Sequence, residues 1–379
     1  MKNSNAKNSR SIAILWVLSI AAFQIAAIKP AAQAGQIIIA TLVFALLMGL
    51  YLLFADQRFA EALPQVTRGS EFGLPGFLFL IFVVLTLMAG TSNAIIVIAL
   101  AAAIFWIPVA LIVRREDALT PIQAVVGLSI LSIPLGVDVV LGGQPDPTQV
   151  ALRAGAFVLV ALLVLLTTRD QKSRLSFYFS SVVAFIWFTV EFGNAPALRL
   201  PFDGGQIRYM QLALIVLFLY LLTLAGRWSE LGFTFDLNRK DWKEAAINLG
   251  LFSLIAFPIG LITGFIKPST ALPSIVEIAG RGVAIFLFIA IPEEVLFRGA
   301  IHRYLERVLR WTPRLTLLLS SIIFGAAHLD NPPNVGYYFI LATIAGFFYG
   351  RTYLRTGKII PAALVHLAVD WIWSVLFAG

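Results

Sequence analysis

Ile291-Pro-Glu-Glu-Val-Leu-Phe-Arg-Gly299 lies near the end of a long apolar run, and it decides how the rest of the chain is interpreted. Two adjacent carboxylates and an arginine stand where a membrane-spanning helix ordinarily carries no charge. Placing one ion in hydrocarbon costs at least about 2.5 kcal/mol, so charged residues in such a helix are expected to serve a function. Glu293, Glu294 and Arg298 are therefore the first candidate site residues.

The composition around this stretch is typical of a membrane protein. Of the 379 residues, 59% are apolar and 13% are charged, whereas a soluble domain has about 45–50% apolar and roughly 25% charged residues. Many apolar runs have about 17–22 residues, enough to cross roughly 30 Å of hydrocarbon. Because the runs are continuous rather than alternating, they predict helices and not the strands of a membrane barrel. The predicted fold class is all-α, a polytopic bundle of transmembrane helices.

The apolar runs define thirteen candidate spans, at residues 11–28, 36–54, 73–89, 94–113, 121–141, 154–167, 176–191, 210–225, 247–266, 281–297, 315–328, 335–350 and 359–377. With the N-terminus placed in the cytoplasm, 22 of the 28 lysines and arginines fall on the inside. The positive-inside rule therefore supports thirteen spans, with the N-terminus cytoplasmic and the C-terminus outside. An alternative with one re-entrant segment stays open.

The same charge distribution bears on partners and domains. A net charge of +8 requires no nucleic-acid partner, because basic residues gather in the cytoplasmic loops of membrane proteins. The chain has no cysteine, which excludes disulfides, thiolate catalysis and cysteine-ligated metals. The longest inside loop, 226–246, mixes aromatic and basic residues, as a segment in the headgroup region does. It divides the chain into an eight-span module of unassigned role, 1–226, and a five-span module, 227–379.

Two of the three histidines fall in predicted spans that follow the opening stretch. His366 and Asp370 are four residues apart, so they project from one helix face. At about 1.5 Å per residue from the nearest basic residue, Glu293, His328, His366 and Asp370 lie roughly 12–21 Å deep. They therefore share a slab around the middle of a core about 30 Å thick. Three helices offer two carboxylates and two imidazoles at similar depth.

Such a set of side chains can activate water. Burial disfavours the charged form of a carboxylate, which suits a general base that works near neutral pH. Glu294 and Arg298, at i and i+4, can pair on one face, whereas Glu293 points away from Arg298 and is the freer base. Two imidazoles and a carboxylate can either hold a divalent metal or position water and stabilise an oxyanion. The third histidine, His302, follows its span among arginines and is predicted to be solvated or to face lipid phosphate.

Three motifs in a fixed order resemble those of one family. They are EExxxR, FxxxH and HxxxD, formed by Glu293, Glu294, Arg298, Phe324, His328, His366 and Asp370. Over roughly residues 240–379 the chain resembles the CAAX-protease and bacteriocin-processing family of intramembrane proteases, which includes the Ras-and-a-factor converting enzyme of eukaryotes. Each motif alone is weak, and their combination on three apolar helices is specific.

The resemblance implies a CAAX prenyl protease-like endopeptidase, of glutamic or metallo type, in a prokaryotic cell membrane. Its substrates would be membrane-embedded or lipidated peptides and proteins. The family's roles would have Glu293 and His328 activate water, and His366 and Asp370 bind the oxyanion. Alternatively, the same four residues would ligate a divalent metal such as zinc. The family often has Asn where this chain has Asp370, so Asp370 is expected to be protonated, to orient His366 or to ligate the metal.

A function of another class also stays open. A transporter, or an immunity or scaffold protein that binds a peptide in the same polar cavity, would likewise place charge in the bilayer. No internal repeat is recognisable, so the inverted repeat of many secondary transporters is not evident. Alanine substitutions at Glu293 and His328 distinguish these classes, because binding or protection without proteolysis would survive them.

Overall fold

The computed structural model describes residues 2–27, 34–67, 70–88, 94–113, 209–224, 226, 228–269, 272–307, 310–329 and 335–378. The described residues are helical almost throughout, and the all-α prediction is confirmed for them. Their extended structure is one short antiparallel ladder, which pairs β1 (Lys267–Pro268) with β2 (Phe377–Ala378).

Twelve helices in the described ranges carry the fold. In chain order they are α1 (Lys2–Ala27), α2 (Ala34–Leu53), α3 (Gln57–Val66), α4 (Gly73–Met88), α5 (Ala94–Val113), α6 (Tyr209–Leu224), α7 (Arg239–Ile262), α8 (Ile275–His302), α9 (Arg303–Arg307), α10 (Pro313–Ala326), α11 (Val335–Thr356) and α12 (Ile359–Leu376). Ten of the thirteen predicted spans overlap one of these helices. The predicted spans 121–141, 154–167 and 176–191 lie outside the described residues.

Length and composition qualify three of the described helices to cross a membrane, namely α7, α8 and α12. Helices α2 and α3 pass the same test together but are bent by 102°, and they add a fourth crossing if the pair is one span. Helices α4 and α10 are apolar but shorter. These helices support an integral membrane protein, while the count of thirteen spans and the orientation of the termini stay predictions.

The chain divides into two compact units. Residues 16–228 form one unit, and residues 1–15 with 229–379 form the other. In the first unit α6 packs against α2, α3, α4 and α5. The hydroxyl of its buried Tyr209 donates a hydrogen bond of 2.9 Å to the carbonyl of Ala40. Without this partner, the buried hydroxyl would destabilise the fold.

The second unit includes the beginning of the chain because Asn8 is buried within it. The side-chain oxygen of Asn8 accepts hydrogen bonds from the backbone N–H of Phe235, at 2.9 Å, and from the hydroxyl of Thr234, at 3.3 Å. Phe233 and Phe235, from the loop predicted to lie in the headgroup region, are buried here and pack inside the unit. Trp242, from the same predicted loop, is 56% exposed.

Local capping defines where the helices of the second unit begin and end. Asn238 and Asp241 form a capping box at the start of α7, and Ser274 and Glu277 form another at the start of α8. Helix α11 ends before Gly357, which has a positive φ of +68°. The backbone N–H of Gly357 donates a hydrogen bond of 2.7 Å to the carbonyl of Tyr353 and so caps the helix.

Helix α11 lies in the middle of the second unit, where it packs against α7, α10 and α12. Glycines on α11 permit the close approach. A β-carbon added to Gly346 would come within 3.1 Å of Phe324, and one added to Gly350 would come within 2.6 Å of Leu317. This packing brings α8, α12 and α10 with the turn after it around one helix, and these segments carry the three motifs.

Candidate functional site

Helix α8 carries the opening stretch and has widened turns on both sides of it. Residues Phe286–Ala290 and Val295–His302 are π-helical, and the single α-helical turn Ile291–Glu294 separates them. Pro292 lies in that turn and has no backbone N–H to donate to the turn before it. Widened turns of this kind occur frequently at functional sites. The sequence predicted a helix here, but not the widening.

Glu294 and Arg298 form the predicted ion pair, which is confirmed. Arg298 Nε lies 3.0 Å from Glu294 Oε2, and the two side chains are 1% and 0% exposed. A second guanidinium nitrogen of Arg298 donates to the carbonyl of Gly346 at 2.6 Å. The guanidinium also lies 5.1 Å from the ring centroid of Phe324 and 5.6 Å from that of Tyr349. A buried charge needs compensation of this kind, because an unpaired one costs several kcal/mol.

His366 lies among three carboxylates. Its Nδ1 is 3.1 Å from Glu294 Oε1, and its Nε2 is 3.3 Å from Asp370 Oδ2 and 3.9 Å from Glu293 Oε2. The imidazole and Glu293 are buried, whereas the side chain of Asp370 is 30% exposed. The structure therefore brings α8 and α12 together through the residues that the sequence singled out.

The contacts of His366 narrow the alternatives for Asp370. A carboxylate faces each ring nitrogen, so both nitrogens are placed to donate hydrogen bonds. With a proton on both nitrogens the ring is a cation. If a facing carboxyl group holds one of these two protons instead, the ring is neutral. Asp370 lies within hydrogen-bonding distance of Nε2, where it orients the ring. Of the three roles expected for Asp370, the geometry supports the orientation of His366.

Two aromatic rings fix the plane of His366. Tyr349 stacks on it at 4.6 Å between ring centroids and 16° between planes. Phe324 meets it edge-on, at 5.7 Å and 81°. Because Tyr349 also faces Arg298, one buried ring supports both the imidazole and the ion pair.

His328 lies on the same Phe324 ring, with 4.8 Å between the ring centroids. Its Nδ1 is 2.8 Å from the carbonyl of Phe324. A carbonyl only accepts, so Nδ1 carries a proton, and in the neutral ring Nε2 keeps a lone pair. Tyr338 stacks on the imidazole at 5.5 Å and 20°. His328 is half-buried, so part of the ring stays accessible.

The metal-ligand set expected from the sequence consists of Glu293, His328, His366 and Asp370. Within the described ranges, no group of three or more such side chains is arranged to hold a metal ion. Nδ1 of His366 faces Glu294, and Nε2 faces Asp370 and Glu293. These side chains do not form a preformed metal site, and the proposed reaction uses no metal.

His302 corrects one expectation. It is 0% exposed, so it is neither solvated nor turned toward lipid phosphate. Its Nδ1 lies 3.3 Å from Ser320 Oγ, and its ring meets that of Tyr353 edge-on at 6.2 Å. The neighbouring Arg303 is half-buried and donates to the hydroxyl of Tyr353 at 3.0 Å. His302 thus packs inside the unit, against Ser320 of α10 and Tyr353 of α11.

Sequence reasoning also missed the contribution of α11. Gly346 supplies a carbonyl to Arg298, and Tyr349 supplies a ring to His366. The sequence signal for this contribution is the spacing of Gly346 and Gly350, four residues apart, which marks a face where another helix approaches closely.

A comparison with protein families agrees with the motifs. Residues 275–372 match the family described as Rce1-like, type II CAAX prenyl endopeptidase Rce1-like. No curated protein and no solved structure matches the chain. The match covers α8, α10, α11 and α12, and it confirms the resemblance to the CAAX-protease family in that segment.

Proposed function

We propose that this protein is a membrane-integral endopeptidase that cleaves membrane-associated or lipidated protein substrates with water activated by Glu293. The family match supports an activity of the CAAX-protease type. The observation that carries the mechanism is the convergence of Glu293, Glu294 and Asp370 on His366, inside the matched segment.

Glu293 is the proposed general base. It is 6% exposed, it follows Pro292 in the turn between the widened segments, and it is not the carboxylate that pairs with Arg298. In the proposed reaction Glu293 takes a proton from water while the water oxygen attacks the carbonyl carbon of the scissile bond. Glu293 then gives that proton to the departing amine, so acid and base are restored in each cycle.

His328 and His366 are proposed to act on opposite sides of the reacting carbonyl. Nε2 of His328 accepts a hydrogen bond from the attacking water and so directs its lone pair at the carbonyl carbon. The Nε2–H of His366, which lies 3.3 Å from Asp370 Oδ2 and 3.9 Å from Glu293 Oε2, donates to the developing oxyanion once Glu293 has taken the proton of the water and is neutral. Asp370 and Glu294 are positioning residues that orient His366.

A substrate in or on the membrane suits the location of these groups. The two glutamates lie on α8, and His366 and Asp370 lie on α12, and both helices are long and apolar enough to span a bilayer. His328 lies in the turn that follows the shorter apolar helix α10. The partial exposure of His328 and Asp370 gives the cluster an accessible side. To cleave a lipidated chain end, the enzyme must bring water and the scissile bond together at a site that is accessible from the membrane.

The test is a cleavage assay on the full-length protein in lipid vesicles, with a prenylated CAAX-type peptide as the probe. Glu293→Gln and His328→Ala should each lower kcat by about 100-fold or more, because they remove a base or the group that orients water. The matched control is Glu306→Gln, which alters a half-buried glutamate paired with Arg303 at 3.3 Å and should retain wild-type activity.

Native substrates are then identified by mass spectrometry of membrane peptides that accumulate in cells carrying Glu293→Gln. Undiminished cleavage in both the Glu293 and the His328 variants would contradict the proposal. Peptide binding or protection that survives both changes, without cleavage by the wild type, would instead favour a transporter, immunity or scaffold protein.

A further inference from the structure

A second layer of buried polar side chains lies on α8 and α10, outside the proposed reaction centre. Arg298, His302 and Thr316 are 1%, 0% and 0% exposed. Each has a polar atom without a hydrogen-bond partner among the described residues, namely Arg298 Nη1, His302 Nε2 and Thr316 Oγ1. Buried polar atoms rarely lack a hydrogen-bond partner, because each then loses its hydrogen bonds to water without gaining one in the protein.

The hydrogen bonds of His302 define which of its nitrogens accepts. Ser320 Oγ donates to the carbonyl of Leu317 at 3.1 Å, so its single proton is already used. The contact of 3.3 Å between His302 Nδ1 and Ser320 Oγ is therefore a bond in which Nδ1–H donates. In the neutral ring, Nε2 is then a bare acceptor.

The atoms without partners have complementary chemistry. Arg298 Nη1 can only donate, and His302 Nε2 can only accept. The two residues are four apart on α8, which places them on neighbouring turns of one face. Thr316, which both donates and accepts, is four residues before Ser320 on α10, and Ser320 is the residue that touches His302. A group that donates to histidine, accepts from arginine and meets a hydroxyl would satisfy all three.

We propose that this layer, formed by Arg298, His302 and Thr316, is a binding site for buried water. A water molecule can donate two hydrogen bonds and accept two, and a buried water ordinarily has two to four polar partners. It would complete the hydrogen bonding of the guanidinium that holds Glu294. Tyr353 and Arg303, which bond to each other at 3.0 Å, border the layer at the end of α8 that the sequence predicts to be cytoplasmic.

The first test asks whether the layer is wet or dry by an isosteric change. Thr316→Val replaces the hydroxyl by a methyl group of the same shape. If water binds the hydroxyl, the variant should lower Tm by about 2–4 °C. If the site is dry, the same change removes an unsatisfied hydroxyl, and Tm would stay or rise. Thr352→Val is the matched control, because Thr352 is equally buried but bonds to the carbonyl of Phe348 on its own helix at 2.8 Å.

The second test detects the water directly by radiolytic hydroxyl-radical labelling of the full chain in detergent, read by mass spectrometry. Tyr353 is 1% exposed, so bulk water does not reach its ring, but water beside His302 would produce radicals next to it. We expect Tyr353 to be labelled in the wild type and in His302→Gln, whose amide oxygen keeps an acceptor near Nε2, and labelling to be lost in His302→Leu.

An unlabelled Tyr353 in the wild type, or equal labelling in His302→Leu, would overturn the proposal, as would an unchanged or higher Tm of Thr316→Val. Neither readout depends on proteolysis. The water site and the proposed function can therefore fail separately.

Discussion

Arg298 is the side chain on which most of the buried charge depends. It pairs with Glu294, bonds to the carbonyl of Gly346 and faces the rings of Phe324 and Tyr349. Through Glu294 it also affects His366, which lies 3.1 Å from the other carboxylate oxygen. A lysine could not reproduce this set of contacts, because its ammonium is a single point charge without the planar fork of donors.

We expect Arg298→Met to destabilise the protein by about 3–5 kcal/mol, because it leaves Glu294 buried without a counter-charge. The double variant Glu294→Gln with Arg298→Met removes both charges and should recover a large part of that loss. Thermal unfolding of the four proteins in detergent, arranged as a double-mutant cycle, measures the coupling.

The matched pair for this cycle is Arg303 with Glu306, which lie 3.3 Å apart and are 22% and 28% exposed. Their coupling should be no more than about 1 kcal/mol, because solvent screens charges at such positions. Additive effects at Glu294 and Arg298 would show that the buried pair is not coupled.

Helix α11 organises the site although it carries none of the three motifs. Its glycines let α8 and α10 approach, its carbonyl at Gly346 meets Arg298, and its Tyr349 supports His366. A larger side chain on this face would therefore displace the catalytic groups without touching them.

Gly350→Val tests this role of α11. A β-carbon at residue 350 comes within 2.6 Å of Leu317 and 3.7 Å of Arg298 Nε, so the variant should lose about 1–3 kcal/mol of stability and most of its activity. Gly336→Val, on the same helix, has nothing within 4 Å of the added β-carbon and should leave Tm and activity nearly unchanged. Equal effects of the two variants would show that helix propensity, and not packing, determines the loss.

The absence of cysteine from the chain makes its membrane topology directly testable. Single cysteines at Ser4 and Arg355 should react with an impermeant maleimide only from the cytoplasmic side, because the positive-inside rule places them there. A cysteine at Lys267 should react only from the outside. Labelling of intact cells and of inverted vesicles gives the comparison, and an exchange of sides between Lys267 and Arg355 would contradict the predicted arrangement.

The positions of ten apolar helices and the identity of the charged pair could be predicted from the sequence, and physical chemistry explains why. An apolar run of this length has to satisfy its backbone internally in a bilayer, which requires a helix. The i, i+4 spacing assigns Glu294 to Arg298, because that spacing places two side chains on one face whatever the rest of the fold does.

Other parts of the site depended on packing between segments far apart in the chain. The stacking of Tyr349 on His366, the carbonyl of Gly346 beside Arg298 and the burial of His302 follow from how α8, α10, α11 and α12 approach one another. Arginines around a histidine indicate a solvated helix end, but Ser320 of α10 and Tyr353 of α11 pack against His302 and bury it. The spacing of side chains along one helix is visible in the sequence. The close approach of α8 and α12, which places the imidazole of His366 among three carboxylates, depends on the tertiary structure alone.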